Sequence, residues 1–499
     1  MTTPTLLGID LGTQRLKIAV VDTATWTVVA EASRDVPYGV PQDGAFEHDP
    51  SDWWTLFVAA INEVLSAPGV DPETLQAAGL SGHMHSTVML ASDLTPVRPA
   101  MAWADARSHA EGDHLIGAST NALWNPPTAP YTATKLAWVQ RHEPGAFERI
   151  RHVMFPKDYL RWRLTGLLAT DYSDASGSLL WDFDRQQWDS DLIGRLGFSR
   201  DWFQDPHAST DVAGRITADA ARQTGLPEGL PVAAGSGDVA AALNGHPRQN
   251  DNAVLINAGT AAQLIRTRAP VRRYHPEEGA RFLFQGRDTQ QTFAMGALPS
   301  AGLSLSWWAS VLNLTAPDLD GLHNHQADEA GRPPYFVPYL QGSGTPDLIS
   351  EPQGAFTQLS TAANAGEMTR AVMEGVAYAI RYALDALGRP DGNIVAMTGG
   401  VGRSEAMQTL LARTLSGPLH VQSQSDVSLV GAVAYAAVAA GVADTTQVVA
   451  QAMQGEQRVL QATPEECEPY AQGYERWLTA LPNVTMMPTN QAHTSESTL

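Results

Sequence analysis

Two short segments with the same local grammar sit about half the chain apart, and they constrain the fold more than anything else in the sequence. The first is Leu7-Gly8-Ile9-Asp10-Leu11-Gly12-Thr13, followed by the apolar run Leu16 to Asp22. The second is Val254-Leu255-Ile256-Asn257-Ala258-Gly259-Thr260, followed by Ala261 to Ile265. Each reads as an apolar strand, a tight Gly-Thr turn and a second apolar strand, which is a β-hairpin signature. Glycine lets backbone N–H groups come close to a phosphate, and the threonine hydroxyl adds a donor beside them. One such turn merely reverses a chain. Two, each opening one half of a 499-residue chain, predict a duplicated domain whose copies clamp the phosphates of a nucleotide.

Composition narrows the class. The length is enough for two domains with full cores, and 43% hydrophobic residues with 42 glycines fit an ordinary α/β enzyme. No apolar run of about 18 residues occurs, so no membrane span is expected. The N-terminus enters a strand without a basic and apolar leader, which argues against secretion. The single cysteine, Cys467, excludes an intramolecular disulfide and fits a reducing cytoplasm. Its Pro464-Glu465-Glu466 neighbours raise a thiol pKa, which argues against a nucleophile. A net charge of −21 argues against nucleic acid and anionic membrane as partners, because both need a basic footprint. The acidic excess is spread along the chain and reads as a strongly hydrated surface. Only three lysines occur: Lys17, Lys135 and Lys157.

Along the chain, residues 1–243 read as a first domain and 244–440 as a second. A helical segment follows at 441–481, and 482–499 lacks periodicity and is expected to be disordered. In the first domain, Val28 to Ala32 continues the hairpin into a meander. Ser51 reads as the cap of a helix running to Leu65. Leu75 to Gly82 is a buried strand, Lys157 to Leu164 an amphipathic segment, 171–178 a loop, and 231–243 a strand with a glycine turn. In the second domain helices are expected at Pro299 to Leu312, 364–388, 403–415 and 430–441, with a strand at Ile394 to Met397.

Four places carry chemistry. Asp10 precedes the first Gly-Thr turn; a carboxylate repels phosphate, so it either orients Mg2+ through water or caps the turn. Gly399-Gly400-Val401-Gly402-Arg403-Ser404 follows a strand and opens a helix, and glycines there let a flat ring such as adenine lie on the backbone. Gly235-Ser236-Gly237-Asp238 ends a strand; phosphoryl transfer to an alcohol needs a carboxylate to take the hydroxyl proton. The competing reading is that Asp238 caps the next helix. His83-Met84-His85-Ser86 lies at a strand end, where α/β folds place ligands. No Cys or Asp/Glu cluster completes a metal site there, so sugar hydroxyl recognition fits better than zinc. Trp103-Ala104-Asp105-Ala106-Arg107 offers a stacking ring, a carboxylate and a guanidinium beside it.

These residues resemble the FGGY carbohydrate kinases, within the actin, hexokinase and heat-shock-chaperone ATPase superfamily, over roughly residues 5–440. The resemblance rests on the first hairpin, Gly82-His83-Met84-His85, Thr132 to Pro144, Pro156-Lys157-Asp158-Tyr159-Leu160, Ser173-Asp174-Ala175-Ser176-Gly177 and Gly237-Asp238. It implies an α/β fold of two actin-like (ribonuclease H-like) ATPase domains with a central cleft. It further implies Asp238 as general base and Met84 and His85 against the sugar. Gly12, Thr13, Gly259 and Thr260 would sit on the phosphates, with Gly302, Gly400 and Ser404 along the adenosine site. The implied reaction moves the γ-phosphoryl of MgATP to a terminal sugar hydroxyl in the cytoplasm, with ATP and Mg2+ as cofactors and a small-molecule sugar as partner. Homodimers are frequent in the family; the Trp53-Trp54 and Trp307-Trp308 pairs fit core better than interface.

The Lys157-Asp158-Tyr159-Leu160 and Ser173 to Gly177 pieces are most like xylulokinases, which points to D-xylulose. Departures stand beside them. His83 replaces a usual Gln, Ala104 a usual Asn, Gln14-Arg15 and Ala261-Ala262 the usual hairpin residues, and Ser343-Gly344 a usual Glu-Arg. Met84-His85-Ser86 and Trp103-Ala104-Asp105 look more like gluconate kinases, for which Arg107 is the nearby cation. Arg15 is a candidate phosphate contact. The other readings are a kinase for ribulose or another ketose, a chaperone-like ATPase, and a catalytically weakened sugar-binding homologue.

Overall fold

In the computed structural model, which describes residues 3–119, 123–247, 253–324, 330–349, 351–388, 395–422 and 426–485, the first hairpin forms as read. β1 (Thr5–Leu11) runs antiparallel to β2 (Arg15–Asp22), with Asp10 opposite Lys17. Gly12 N–H closes the turn on the Arg15 carbonyl at 2.9 Å. β3 (Val28–Asp35) completes the meander. α1 (Pro50–Leu65) begins two residues earlier than expected: the cap is Asp49, whose carboxylate accepts from Ser51 N–H at 2.8 Å, not Ser51 itself. Proline at the first helical position has no N–H to satisfy, and Asp49 reaches the next one.

β4 (Leu75–Gly82) lies parallel to β1, so the two strand ends carry Asp10 beside Ser81 and Leu11 beside Gly82. α2 (Thr132–His142) and α3 (Pro156–Thr165) follow. The loop expected at 171–178 holds a short helix, α4 (Tyr172–Ser176), because the Asp171 carboxylate caps Ser173 N–H at 2.8 Å. β5 (Val212–Arg215), β6 (Pro231–Ala233) and β7 (Ser236–Gly237) lead into α5 (Asp238–Gly245). The sheet order is β5-β6-β4-β1-β2-β3, with β7 beside β4. Trp53, at 0% exposure, belongs to its core, as does Trp54.

The second hairpin joins β8 (Val254–Ala258) to β9 (Ala262–Thr267), its turn closed by Gly259 N–H on the Ala261 carbonyl at 2.9 Å. β10 (Phe282–Gln285) and β11 (Thr292–Leu298) form a further hairpin. α6 (Gly302–Val311) starts three residues later than Pro299, because the Gly302 N–H is taken by the Gly259 carbonyl at 3.0 Å. α7 (Ala365–Ala386), β12 (Val395–Thr398), α8 (Glu405–Leu415) and β13 (Leu419–Gln422) come next. β8 and β12 are parallel, with Asn257 opposite Thr398. Trp308 is buried and donates to Thr369 Oγ1 at 2.9 Å.

The chain then turns back. α9 (Val427–Ala439) packs on β4, β1 and α5, so Ser423–Glu456 belongs to the same compact unit as Met1–Ala253 and Ile265–Met295. The second unit is Val254–Leu264, Gly296–Gln422 and Gln457–Leu499. Each compact unit is thus discontinuous in sequence. The cause is close packing of small residues. A Cβ on Gly79 would lie 2.0 Å from the Ala432 carbonyl oxygen, and one on Gly431 2.1 Å from that of Ala241. Only bare backbone fits at both contacts. β14 (Gln457–Leu460) pairs with β13, and α10 (Pro464–Thr485) closes the described chain. α10 takes in residues 482–485 of the segment expected to be disordered, and 486–499 lie outside the described residues. Among the described residues no helix is long and apolar enough to cross a membrane.

Candidate active site

In the first unit two carboxylates approach the ends of β1 and β7. Asp10 Oδ2 accepts from Ser428 Oγ at 2.7 Å, while Oδ1 is buried with no hydrogen-bond partner. Burial raises its pKa, against the pull of Ser428, Ser81 and Lys17. Lys17 itself pairs with Asp426 at the foot of α9. Asp238 is the first residue of α5; the N-cap is Gly237, and no side-chain cap bond forms there. Its Oδ1 accepts Val239 N–H at 2.8 Å. Burial first, and then the charge of Asp10, push its pKa from 3.8 up to about 7. A carboxylate in that state is half ionised near neutrality, which suits proton abstraction.

The strand end after Gly82 divides its three residues between two jobs. His83 is fully buried; Nδ1 contacts Ser86 Oγ at 2.6 Å, and the ring packs against Trp53 and His48. Met84 is 3% exposed and lies against Gly237, where a Cβ would sit 2.2 Å from its Cγ. His85 stands in the left-handed region at φ 64°. Its Nδ1 contacts the Gly177 carbonyl at 2.8 Å, and burial pulls its pKa down to about 4. A neutral ring donating from Nδ1 leaves Nε2 as an acceptor. Lys135 holds the carbonyl of the same residue at 2.8 Å and that of Pro130 at 2.6 Å. Burial lowers this ammonium to about 7.

Trp103 is 47% exposed and donates from Nε1 to Thr13 Oγ1 at 2.8 Å, so it is tied to the tip of the first hairpin. Asp105 lies inward, at 0% exposure, accepting from Phe46 N–H at 2.9 Å and Arg107 at 2.6 Å. Arg107 also reaches Glu47 at 2.5 Å and covers the Trp138 ring at 4.6 Å. Both groups of this pair are engaged by protein partners. Arg15 pairs with Asp35 on the surface at 3.2 Å.

The second unit offers backbone rather than charge. Gly302 N–H and Leu303 N–H donate to the carbonyls of Gly259 and Thr260 at 3.0 and 2.9 Å, fixing the turn. A Cβ on Gly302 would lie 2.3 Å from the Gly259 oxygen. Gly399 takes φ +97°, and Gly400 is exposed, with only the Arg403 guanidinium, 3.6 Å away, near where a Cβ would stand. Ser404 caps α8 through Met407 N–H at 3.0 Å and donates to Asp320 at 2.7 Å, so its hydroxyl is already engaged.

Sequence reasoning missed Ser428, 418 residues from the Asp10 it touches, and no local pattern marks it. It also missed that Lys135 and Lys157 are fully buried, although their scarcity was a signal.

With this geometry in view, the comparisons with known proteins are direct. The FGGY family of carbohydrate kinases matches through its N-terminal domain at residues 5–245 and its C-terminal domain at residues 254–440. The chain belongs to that family: it is a phosphotransferase with an alcohol group as acceptor, catalysing ATP-dependent phosphorylation of a sugar. It is 32% identical over 445 residues to the xylulose kinase of Escherichia coli (strain K12), covering 87% of this chain and 90% of that protein. Among solved structures it is similar to a xyloylose kinase from Brucella ovis, with a TM-score of 0.88, 29% identity, and 96% and 99% of the two chains covered. A gluconate kinase from Lactobacillus acidophilus gives a TM-score of 0.86 at 20% identity, over 96% of this chain and 98% of that one. At that identity the likeness is of fold alone. The two-domain α/β architecture expected from the resemblance is the one found.

Proposed function

We propose that this chain phosphorylates D-xylulose to D-xylulose 5-phosphate, with Asp238 taking the proton of the attacking hydroxyl. The observation that carries this reading is Asp238 itself: a carboxyl held near neutral pKa at a strand end, against Met84. His85 Nε2 accepts a sugar hydroxyl, and Met84 lays an apolar surface against the carbon chain. Gly12, Thr13, Gly259 and Thr260 supply the donors for the phosphates, and Gly302 and Gly400 the bare backbone for adenosine. Ser404 contributes by fixing the start of α8.

Asp10 suits a divalent cation because its Oδ1 is a buried oxygen with no hydrogen-bond partner. Among the described residues no group of three or more His, Cys, Asp or Glu assembles a metal site. One carboxylate with water and phosphate oxygens is the donor set Mg2+ prefers, and when bound it neutralises phosphate charge. The single cysteine supports a cytoplasmic setting.

The gluconate reading needs a cation for the acid group. Arg107 is committed to Asp105 and Glu47, and Lys135 to two carbonyls, so a neutral ketose is the better fit. The deciding experiment measures ADP release on D-xylulose, ribulose, gluconate and glycerol, for the native enzyme and Asp238→Ala. D-Xylulose should give the highest kcat/KM, and Asp238→Ala should abolish turnover without unfolding the protein. Preference for gluconate, or undiminished turnover in the variant, defeats the proposal.

A further inference from the structure

Beneath the Asp238 turn lies a sealed cluster of two cations and three carboxylates. Lys157 Nζ contacts Asp158 at 2.6 Å, Asp171 at 2.8 Å and Asp174 at 2.9 Å. Arg161 adds a second cation on Asp158 at 2.8 Å and donates to the Ala234 carbonyl at 3.0 Å. All five side chains are at most 1% exposed. Fully ionised, such a cluster carries one uncompensated negative charge in a medium that solvates charge poorly, which is strongly unfavourable. One carboxylate must therefore keep its proton.

Geometry says which. Asp171 accepts from Lys157, from Ser173 N–H at 2.8 Å and from Ser173 Oγ at 2.6 Å. Asp158 touches both cations. Asp174 has Lys157 alone on Oδ2, and its Oδ1 is buried with no hydrogen-bond partner. It is the least stabilised anion of the three.

The cluster also reaches the site. Ser173 Oγ donates to Asp171 and accepts Gly237 N–H at 2.9 Å, so one strap runs from the cluster to the residue before Asp238. Asp174 Oδ1 lies 3.3 Å from where a Cβ on Gly237 would stand. We infer that Asp171 and Ser173 form a positioning device for the Asp238 turn, and that the five-residue cluster behind them is electrically neutral because Asp174 is held as a carboxylic acid. Burial, with the charges of Asp171 and Asp158, raises its pKa well above the ordinary value against the pull of Lys157. Lys157, Asp158, Arg161 and Asp171 are the charged groups that face it.

The effect on turnover rests on the reading of Asp238 above; the charge of Asp174 does not. Asp174→Asn replaces a neutral acid by a neutral amide of the same shape. It should fold, keep its Tm, keep kcat within about twofold, and leave the acidic limb of the kcat/KM profile in place. At alkaline pH, where Asp238 is ionised, the infrared difference between native protein and Asp174→Asn should contain a carboxylic-acid carbonyl band. Ser173→Ala should keep the fold and the sugar KM while lowering kcat about tenfold, since it loosens only the strap. No band, an unfolded Asp174→Asn, or an acidic limb displaced by about half a pH unit or more would overturn the neutral-acid assignment. Unchanged kcat in Ser173→Ala would overturn the positioning role. If Asp238→Ala keeps full activity while the band is present, the reading of Asp238 fails and that of Asp174 stands.

Discussion

The two Gly-Thr hairpins share more than a turn. Each places its first strand parallel to a neighbour, β1 beside β4 and β8 beside β12; β4 ends in Gly82, and Gly399 follows β12 directly. At equivalent positions, two residues before the turn glycine, the first hairpin has Asp10 opposite Ser81 and the second has Asn257 opposite Thr398. Beyond the neighbouring strands, Gly82 leads into His83-Met84-His85 in one copy, while Gly399-Gly400 stays bare in the other. The turns differ too: Gly12 N–H closes on Arg15 across two residues, Gly259 N–H on Ala261 across one. The strand-turn-strand backbone, proposed above to supply phosphate donors, recurs in both copies. Ionisable chemistry was kept in one. Asp10 and Asp238 share the first unit, where the charge of Asp10 raises the cost of ionising Asp238, and the second hairpin has a neutral, exposed Asn257 instead.

The sharpest way to break this comparison is to make the first hairpin resemble the second. Asp10→Asn should lower kcat by about 100- to 1,000-fold, because it removes the negative charge that would orient a cation at this turn. Asn257→Ala should change kcat by less than about threefold, as expected for an exposed neutral side chain. Both are read by ADP release at saturating sugar. Comparable losses in the two variants would mean the copies share the catalytic load.

How much of this was legible in the sequence follows from range. The hairpins, β4, α7 and the strand before Asp238 were readable because their signals are local: alternation, caps and glycine turns. The α9 return was not, since its Ala and Gly content reads as helix but says nothing of which domain it packs on. Gly79 and Gly431 decide that, and they act only in three dimensions. Among candidate site residues, Asp10, Met84, His85 and Asp238 were chosen from their position at strand ends. Asp105, Arg107 and His83 were assigned to the sugar on residue type; their side chains are buried, with Glu47, Trp138 and Trp53 arriving from distant segments and Ser86 from the same turn to engage them.

The next test uses pH. Asp238 has a folded pKa of about 7 against 3.8 unfolded, so it is raised. A raised carboxyl contributes stability that is complete below the unfolded value and is lost as pH climbs through the folded value. Turnover should run the other way, rising through about pH 7 as the base ionises. Asp238→Asn should therefore be inactive yet more stable than the native enzyme at pH above 7, with the gain vanishing toward pH 4; the upper bound is roughly 4 kcal/mol. Thermal unfolding across that range checks it. A gain independent of pH would show that ionisation of Asp238 is not the cause. No matching effect should arise in the second hairpin.

Gly302→Ala probes that second copy through backbone alone. The added Cβ meets the Gly259 carbonyl at 2.3 Å, so the turn must shift. KM for ATP should rise about tenfold with the sugar KM unchanged, and stability should fall by roughly 1–3 kcal/mol. A change confined to the sugar KM would place the second hairpin on the wrong substrate.

The smallest expected effect lies at the tip of the first hairpin, where Trp103 Nε1 donates to Thr13 Oγ1 at 2.8 Å. Among the described residues the second tip has no such side-chain tether: Thr260 is held through its carbonyl by Leu303 N–H. Trp103→Phe keeps an aromatic face and removes only the donor. Because Trp103 is 47% exposed, water replaces much of the lost bond. The loss therefore falls at the low end of the usual 0.5–1.5 kcal/mol, about a twofold rise in KM for ATP. Trp103→Ala removes the face as well and should raise the sugar KM if the ring stacks on substrate. A rise in sugar KM already present in Trp103→Phe would assign the tether to sugar binding, and the two tips would then differ in ligand rather than in how firmly they hold the same one.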